Sequence, residues 1–441
     1  MKLTCISVMT LIAALVIPAR LAAQEQQQQE KEHIRYTVID LGLAGQEVGG
    51  INNKGWLDYT AILPEGAHHA TFRLNGIKVD LGTLGGPNSS AFLGPSEAGQ
   101  VVGNAETRTE DPLGEDFCGY GTQLICLAFV WQNGKMTPLP ILGGNDASAA
   151  DINNRGEIVG NAETNTPDPT CPPPTQVLQS PPVIWRNGEI HELPTVSGDP
   201  DGAAISINDN GQAVGASANC TAAFHALLWQ KDGSVKDLGN LGGTMNNVAD
   251  GINNHGRVVG WSNLPGDMFN DGFLWTENKG IEDLGMIPGD VGSVAYSIND
   301  KEQVVGQGSR AILWQNGVLM DLNTLVPGPP FSPLYLLQAW DINASGEIVG
   351  LGLGITGEMH AFFAVPCDEE HADAQGCRND AAVNTAEEQP APVTGNSGSL
   401  NPTSTNSTIR GRSSAMLDRL RARRLPDRYF PRPGSWTTRQ P

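Results

Sequence analysis

The sequence predicts an all-β fold: a seven-bladed β-propeller of four-stranded blades, its ring closed by an N-terminal strand. Three observations predict it. The composition is hostile to helices, a unit of about 45 residues recurs seven times, and one unit is split between the two ends of the array.

Of 441 residues, 53 are Gly and 30 are Pro, which punctuate short strands and interrupt helices. The formal charge is -21, from 27 Lys plus Arg against 48 Asp plus Glu. An acidic surface repels a phosphate backbone, so no nucleic-acid partner is expected.

The repeat is carried first by a segment of the form I-N-x-x-G-x-V-V-G. It begins at Ile51, Ile152, Ile207, Ile252, Ile298 and Ile342, with a worn copy from Pro95. The turn positions Gly55, Gly99, Gly156, Gly211, Gly256, Glu302 and Gly346 are spaced by 44, 57, 55, 45, 46 and 44 residues. That period matches one four-stranded blade. Downstream of each copy lies an aromatic strand, such as LAFVWQNG from Leu127 or AILWQNG from Ala311. A segment of D-L-G type then follows, such as VDLGTLGG from Val79 or KDLGNLGG from Lys236. Asn-Gly at Asn75, Asn133, Asn187 and Asn316 predicts tight hairpins between these two strands. The unit is therefore an Ala-rich strand into I-N, the V-V-G strand, the aromatic strand and the D-L-G strand.

The last aromatic strand, from His360, has no D-L-G segment after it, whereas an orphan one, YTVIDLG, precedes the first copy from Tyr36. An N-terminal strand completing the last blade closes a propeller and removes its exposed sheet edges. The Ala-rich strand is then innermost, with Ala149, Ala204, Ala249, Ala295 and Ala339 where blades converge. Trp131, Trp185, Trp229, Trp275 and Trp314 share one position farther out; they read as inter-blade core, with an aromatic ligand platform as the alternative.

These three blocks in fixed order resemble the bacterial extracellular HAF-repeat family, named for a His-Ala-Phe tripeptide. It is intact here only at His360, Ala361 and Phe362. The resemblance covers residues 36 to 366 and implies an exported propeller-like repeat protein; it brings no catalytic residues to carry over.

The ends set the compartment. Lys2 and an apolar run from Ile6 to Ile17, broken at Pro18, read as a signal peptide over residues 1–23, followed by a polar Gln- and Glu-rich leader over 24–33. No later stretch is long and apolar enough for a membrane span. The protein is expected to be secreted or periplasmic, without a membrane anchor, and monomeric. Beyond the propeller (34–366) come a disulfide-closed loop (367–377), a disordered linker (378–409) and a basic tail (410–441). The tail holds nine Arg and no Lys against two Asp, so it is about +7 on a remainder of about -28. It reads as a solvated extension or as a segment that docks on an anionic surface.

Six cysteines remain after the leader, an even count that favours disulfides in an oxidising compartment. Proximity pairs Cys118 with Cys126 and Cys367 with Cys377, and leaves Cys171 with Cys220. Residues 104–126 and 161–180 are insertions in the same V-V-G-to-aromatic connection, hence on one face, where the disulfides are expected to pin loops to one another. Such loops read as a recognition surface or as rim loops that shield the ring.

No sequence motif for a hydrolase nucleophile, a zinc protease, a P-loop or an EF-hand is present. Asp146, Asp199, Asp201 and Asp290, in connections after D-L-G strands, are the candidate metal ligands, with oxygen chemistry suited to Ca²⁺. Ordinary turn roles are the alternative. The expected function is a non-catalytic scaffold binding an extracellular polymer, glycan or protein through one face. The alternative is a glycan lyase or hydrolase at the axial tunnel, for which Asp151, Asp250 and Asp341 on inner strands are the available carboxylates.

Overall fold

The computed structural model describes residues 35–377 apart from 44–46, 172–175, 221, 327–331, 372–373 and 375–376. The expected signal peptide, leader, linker and basic tail lie outside the described residues. The chain forms seven four-stranded antiparallel sheets arranged as a β-propeller. Blades 1 to 6 span residues 47–80, 89–138, 147–192, 201–237, 247–285 and 294–321, each running in chain order from the axis outward. Blade 7 takes three strands from 335–366 and its outer strand, Tyr36–Leu43, from the N-terminus. Tyr36 lies opposite Pro366 and Leu43 opposite His360, so the split unit closes the ring as predicted.

Each blade repeats one solution to a packing problem. Inner strands bulge just before the I-N turn, between Ala149 and Asp151 and at the equivalent places in blades 4 to 7. The bulge brings an inner-strand carbonyl against the glycine of V-V-G. A Cβ on Gly160 would lie 2.0 Å from the Ser148 carbonyl oxygen, which explains the glycine. Blade 1 has Tyr59 there instead, and the small residue has moved to the inner strand: a Cβ on Gly49 would meet Asp58 Oδ1 at 2.0 Å.

The tryptophans are core. Trp185 and Trp229 are buried, and their indole N–H groups donate to carbonyls of the preceding blade, Pro140 and Pro194, each at 2.8 Å. Asn75, Asn133, Asn187 and Asn316 all have φ between 50° and 53°, the left-handed geometry that the Asn-Gly hairpins require. Glu302, standing where the repeat has Gly, is held in the same region at φ 60°.

The I-N asparagines bind the blades to one another. The Asn253 side-chain oxygen accepts from the backbone N–H groups of His255 and Arg257, each at 3.0 Å, shaping its own turn. Its amide donates to the carbonyl of Asn299 in the next blade at 3.0 Å. The same donation runs from Asn52 to Ser96, Asn153 to Asn208, Asn208 to Asn253, Asn299 to Asn343 and Asn343 to Asn52. Ser96, with no amide to give, interrupts the circuit between blades 2 and 3. The next residue builds an outer circuit, as where the Asn254 N–H donates to Asp300 Oδ1 at 2.8 Å.

Candidate functional site

The strand order fixes two faces. The I-N turns and Asn-Gly hairpins lie on one; the V-V-G-to-aromatic connections and the D-L-G loops lie on the other. The two insertions sit on this second face, and they are less loop-like than expected. In blade 2 the strands extend to Val101–Glu110 and Leu124–Gln132, so residues 104–126 form a lengthened hairpin. In blade 3 the hairpin is prolonged by Thr164 N–H to Gln179, Asp168 N–H to Val177 and Gln179 N–H to Thr166.

All three expected disulfides form: Cys118–Cys126, Cys171–Cys220 and Cys367–Cys377. The expectation that disulfides pin both insertions to one another needs correcting. Cys118–Cys126 closes within its own hairpin, and Cys171–Cys220 ties the blade 3 hairpin to blade 4. The two hairpins are joined instead by Glu115, whose Oε1 accepts from the backbone N–H groups of Val177 and Leu178. Tyr120 anchors the first hairpin to the inner strand of blade 2 through Ser90 Oγ at 2.5 Å.

Beneath this junction lies a buried group of carboxylates: Asp111, Glu115, Asp146 and Glu163. Each spends one oxygen on backbone N–H groups. Asp111 Oδ1 takes Leu113 at 2.7 Å and Glu115 at 3.0 Å, and Asp146 Oδ1 takes Cys126 at 2.6 Å. Glu163 Oε2 takes Asn145 and Asp146, both at 3.2 Å. The remaining oxygens, Asp111 Oδ2, Glu115 Oε2, Asp146 Oδ2 and Glu163 Oε1, are buried with no hydrogen-bond partner among the described residues. One oxygen each of Asp111, Glu115 and Asp146 lies within 4.8 Å of the others. Burial, followed by the charges of Asp111 and Glu115, pushes Asp146 up to about 8. Burial, with Asp146 and Glu115 beside it, raises Glu163 as well.

Of the metal candidates named from sequence, Asp146 alone joins this group. Asp199 accepts from Ser217 Oγ at 2.6 Å. Asp201 accepts from the Gln176 side chain and Ser180 N–H, both at 2.8 Å, with Asp168 nearby. Asp290 is ion-paired to Arg310 at 2.7 Å. The four do not assemble into one ligand set. Asp111, Glu115 and Glu163 were missed because two of them come from an insertion without repeat context. Glu163 did carry a signal: VGNAET occurs twice, with Glu106 as its counterpart.

At the axis, Asp151 and Asp341 share one repeat position and work as latches between blades. Asp151 Oδ2 accepts from Ser206 Oγ at 3.0 Å and Ile207 N–H at 2.9 Å. Asp341 accepts from Ser297 Oγ at 2.6 Å and Ile51 N–H at 2.8 Å. Asp250 is one residue out of that register, at the bulge, beside Tyr296, and burial raises its carboxyl well above the ordinary value. The sequence missed Asp58, in the place of a valine of V-V-G. It is buried, accepts from Gly50 and Gly94 N–H, and feels both Asp341 and Asp151. Leu93 of blade 2 packs against the cluster of Ala203, Ile205 and Val248 from blades 4 and 5, so apolar side chains meet across the axis.

No family model matches the chain, and no curated protein matches it. Among solved structures it is similar to the β-propeller domain of the Trilobed protease from Pyrococcus furiosus, at 12% identity and TM-score 0.41, over 74% of this chain and 94% of that one. A puromycin-hydrolyzing peptidase of Mycobacterium tuberculosis gives 14% identity and TM-score 0.40 over 75% of this chain and 51% of that one. Pyrococcus horikoshii acylaminoacyl peptidase gives 14% and 0.39 over 64% and 45%. Likenesses this distant carry no argument about activity.

Proposed function

We propose that the chain is an exported, non-catalytic scaffold of the HAF-repeat kind that binds an extracellular polymer, glycan or protein through the face bearing the lengthened hairpins. One observation carries this reading: two long hairpins of neighbouring blades are locked together by Glu115 on Val177 and Leu178, and the second is tied to blade 4 by Cys171–Cys220. Fixing loops before a partner arrives removes an ordering cost from binding. Export is supported by three disulfides, which persist in oxidising compartments, and no helix among the described residues is long and apolar enough to cross a membrane.

The test trims both hairpins. Residues 111–123 and 164–179 are replaced by short turns, with Cys126 and Cys220 changed to Ser. The ring should keep its cooperative melt while losing binding to envelope polysaccharide or to protein isolated from the native envelope. Unchanged binding by the trimmed, folded ring would move recognition to the opposite face or the axis.

A further inference from the structure

We propose that Asp111, Glu115, Asp146 and Glu163 form a calcium site that clamps the two lengthened hairpins to the ring. Three features of the geometry converge on it. The donors are all carboxylate oxygens, the set that hard divalent cations take, with neither His nor Cys among them. One oxygen from each of Asp111, Glu115 and Asp146 falls within 4.8 Å of the others, the span that opposite ligands of one ion have at 2.3–2.6 Å from it. Each carboxylate is fixed through its other oxygen by backbone N–H groups, so the free oxygens are held in place.

The orphaned oxygens supply the independent sign of a missing partner. Glu115, Asp146 and Glu163 are fully buried, and their facing oxygens find no donor among the surrounding groups other than a proton shared between the carboxyls, the state that a bound cation would replace. The chain contains its own control. Asn88 and Glu106 occupy in blade 2 the positions of Asp146 and Glu163 in blade 3. In both blades the Glu N–H donates to the facing carbonyl at 2.9 Å, and the residue at the 88 and 146 position accepts, through Oδ1, a backbone N–H from the aromatic strand of the preceding blade, that of His68 or of Cys126. In blade 2 the Asn88 amide then donates to Glu106 Oε2 at 2.7 Å, and Thr122 Oγ1 donates to Oε1. In blade 3 the amide is replaced by a carboxylate, and Asp111 and Glu115 arrive as well. A position that elsewhere supplies an amide donor has become a carboxyl among other buried carboxyls, and a cation that displaces their protons resolves that conflict.

A bound ion would join residues from the first hairpin (Asp111, Glu115), the loop entering blade 3 (Asp146) and the strand leading to the second hairpin (Glu163). It would thus fix the raised face independently of whatever that face recognises. The test uses the full chain stripped with EDTA and titrated with CaCl₂ or MgCl₂ alone, followed by thermal melting, equilibrium dialysis and limited proteolysis. One Ca²⁺ per chain should bind, the melting temperature should rise by several degrees, cleavage within 111–123 and 164–179 should slow at least tenfold, and Mg²⁺ should do much less. Asp146→Asn recreates the blade 2 pair and should fold while losing the calcium response; Glu163→Gln provides a second variant with the same expectation. No response in the parent at millimolar calcium, an equal response to Mg²⁺, or a response kept by both variants would overturn the proposal. Loss of calcium binding with partner binding intact would leave the scaffold reading standing.

Discussion

Asp40 and the Nδ1 of His360 lie 2.8 Å apart although 320 residues separate them in the chain, and they join the N-terminal strand to the C-terminal one. The same pair recurs within blades as His69 with Asp80 at 2.9 Å and His225 with Asp237 at 2.8 Å. The histidine of His-Ala-Phe and the aspartate of D-L-G are thus partners across two hydrogen-bonded strands. In blade 6 Arg310 replaces the histidine, 3.5 Å from Asp321.

Closure should therefore depend on the strand far more than on this pair. Deleting residues 35–42 exposes the sheet edge and uncovers Phe362 and Ala364, with loss of buried Tyr36. A drop of more than 10 °C in melting temperature or aggregation on size-exclusion is expected. Asp40→Asn, at a partly exposed pair, should cost under about 1 kcal/mol. Equal effects of the two changes would contradict this account.

The asparagine circuit makes a prediction in both directions. Asn253→Ala removes two turn-shaping acceptor bonds and one inter-blade donation, so a loss of about 2–3 kcal/mol is expected at roughly 1 kcal/mol per bond. Ser96→Asn supplies the missing amide opposite Asn153 and should gain up to about 1 kcal/mol. Urea unfolding of both variants checks the pair of signs, and a destabilising Ser96→Asn would show that blade 2, whose turn backbone already matches the other blades, has no room for the longer side chain.

Much of this architecture was legible because a repeat averages out local ambiguity. Seven copies fixed the strand order, and the split unit at Tyr36 and His360 gave closure. The reason for the recurrent spelling was not legible: one copy of I-N reads as a turn, and the inter-blade role of Asn253 needs the next blade in place. The axial carboxylates misled for a related reason. Asp250 stands two residues before its Ile where Asp151 and Asp341 stand one before, an offset present in the sequence whose consequence, a different place at the bulge, needs the strand register. The buried carboxylates were half visible, since Asp146 stands in a loop of the repeat, whereas Asp111 and Glu115 belong to an insertion that the period cannot place.

The disulfides should differ in weight according to the chain they close. Cys171–Cys220 has a sequence separation of 49 and Cys118–Cys126 one of 8. Loop-closure entropy gives about 4 kcal/mol for the first and about 2.5 kcal/mol for the second. Paired Cys→Ser variants, unfolded in guanidinium, should show the larger loss at 171 and 220. The reverse order would mean that the blade 2 hairpin depends on its own bridge for more than chain entropy.

The last prediction concerns pH and turns on Asp58. Burial pushes its carboxyl up to about 8 against the opposing N–H groups of Gly50 and Gly94, and the charges of Asp341 and Asp151 add to the rise. Asp151, also buried, is raised to about 7. The folded protein then holds protons that the unfolded chain, with an ordinary carboxyl near 4, has released. The contribution of these two groups to stability falls as pH rises from about 4 towards the raised values, by up to about 1.4 kcal/mol per pH unit for each group. Asp58→Asn keeps an oxygen for Gly50 and Gly94 and removes the titration. It should flatten the slope between pH 5 and pH 8 and gain stability relative to the parent as pH rises. Denaturant midpoints of both proteins across that range measure the difference. Parallel pH profiles would mean that Asp58 is not proton-linked and that the remaining axial carboxylates set the slope.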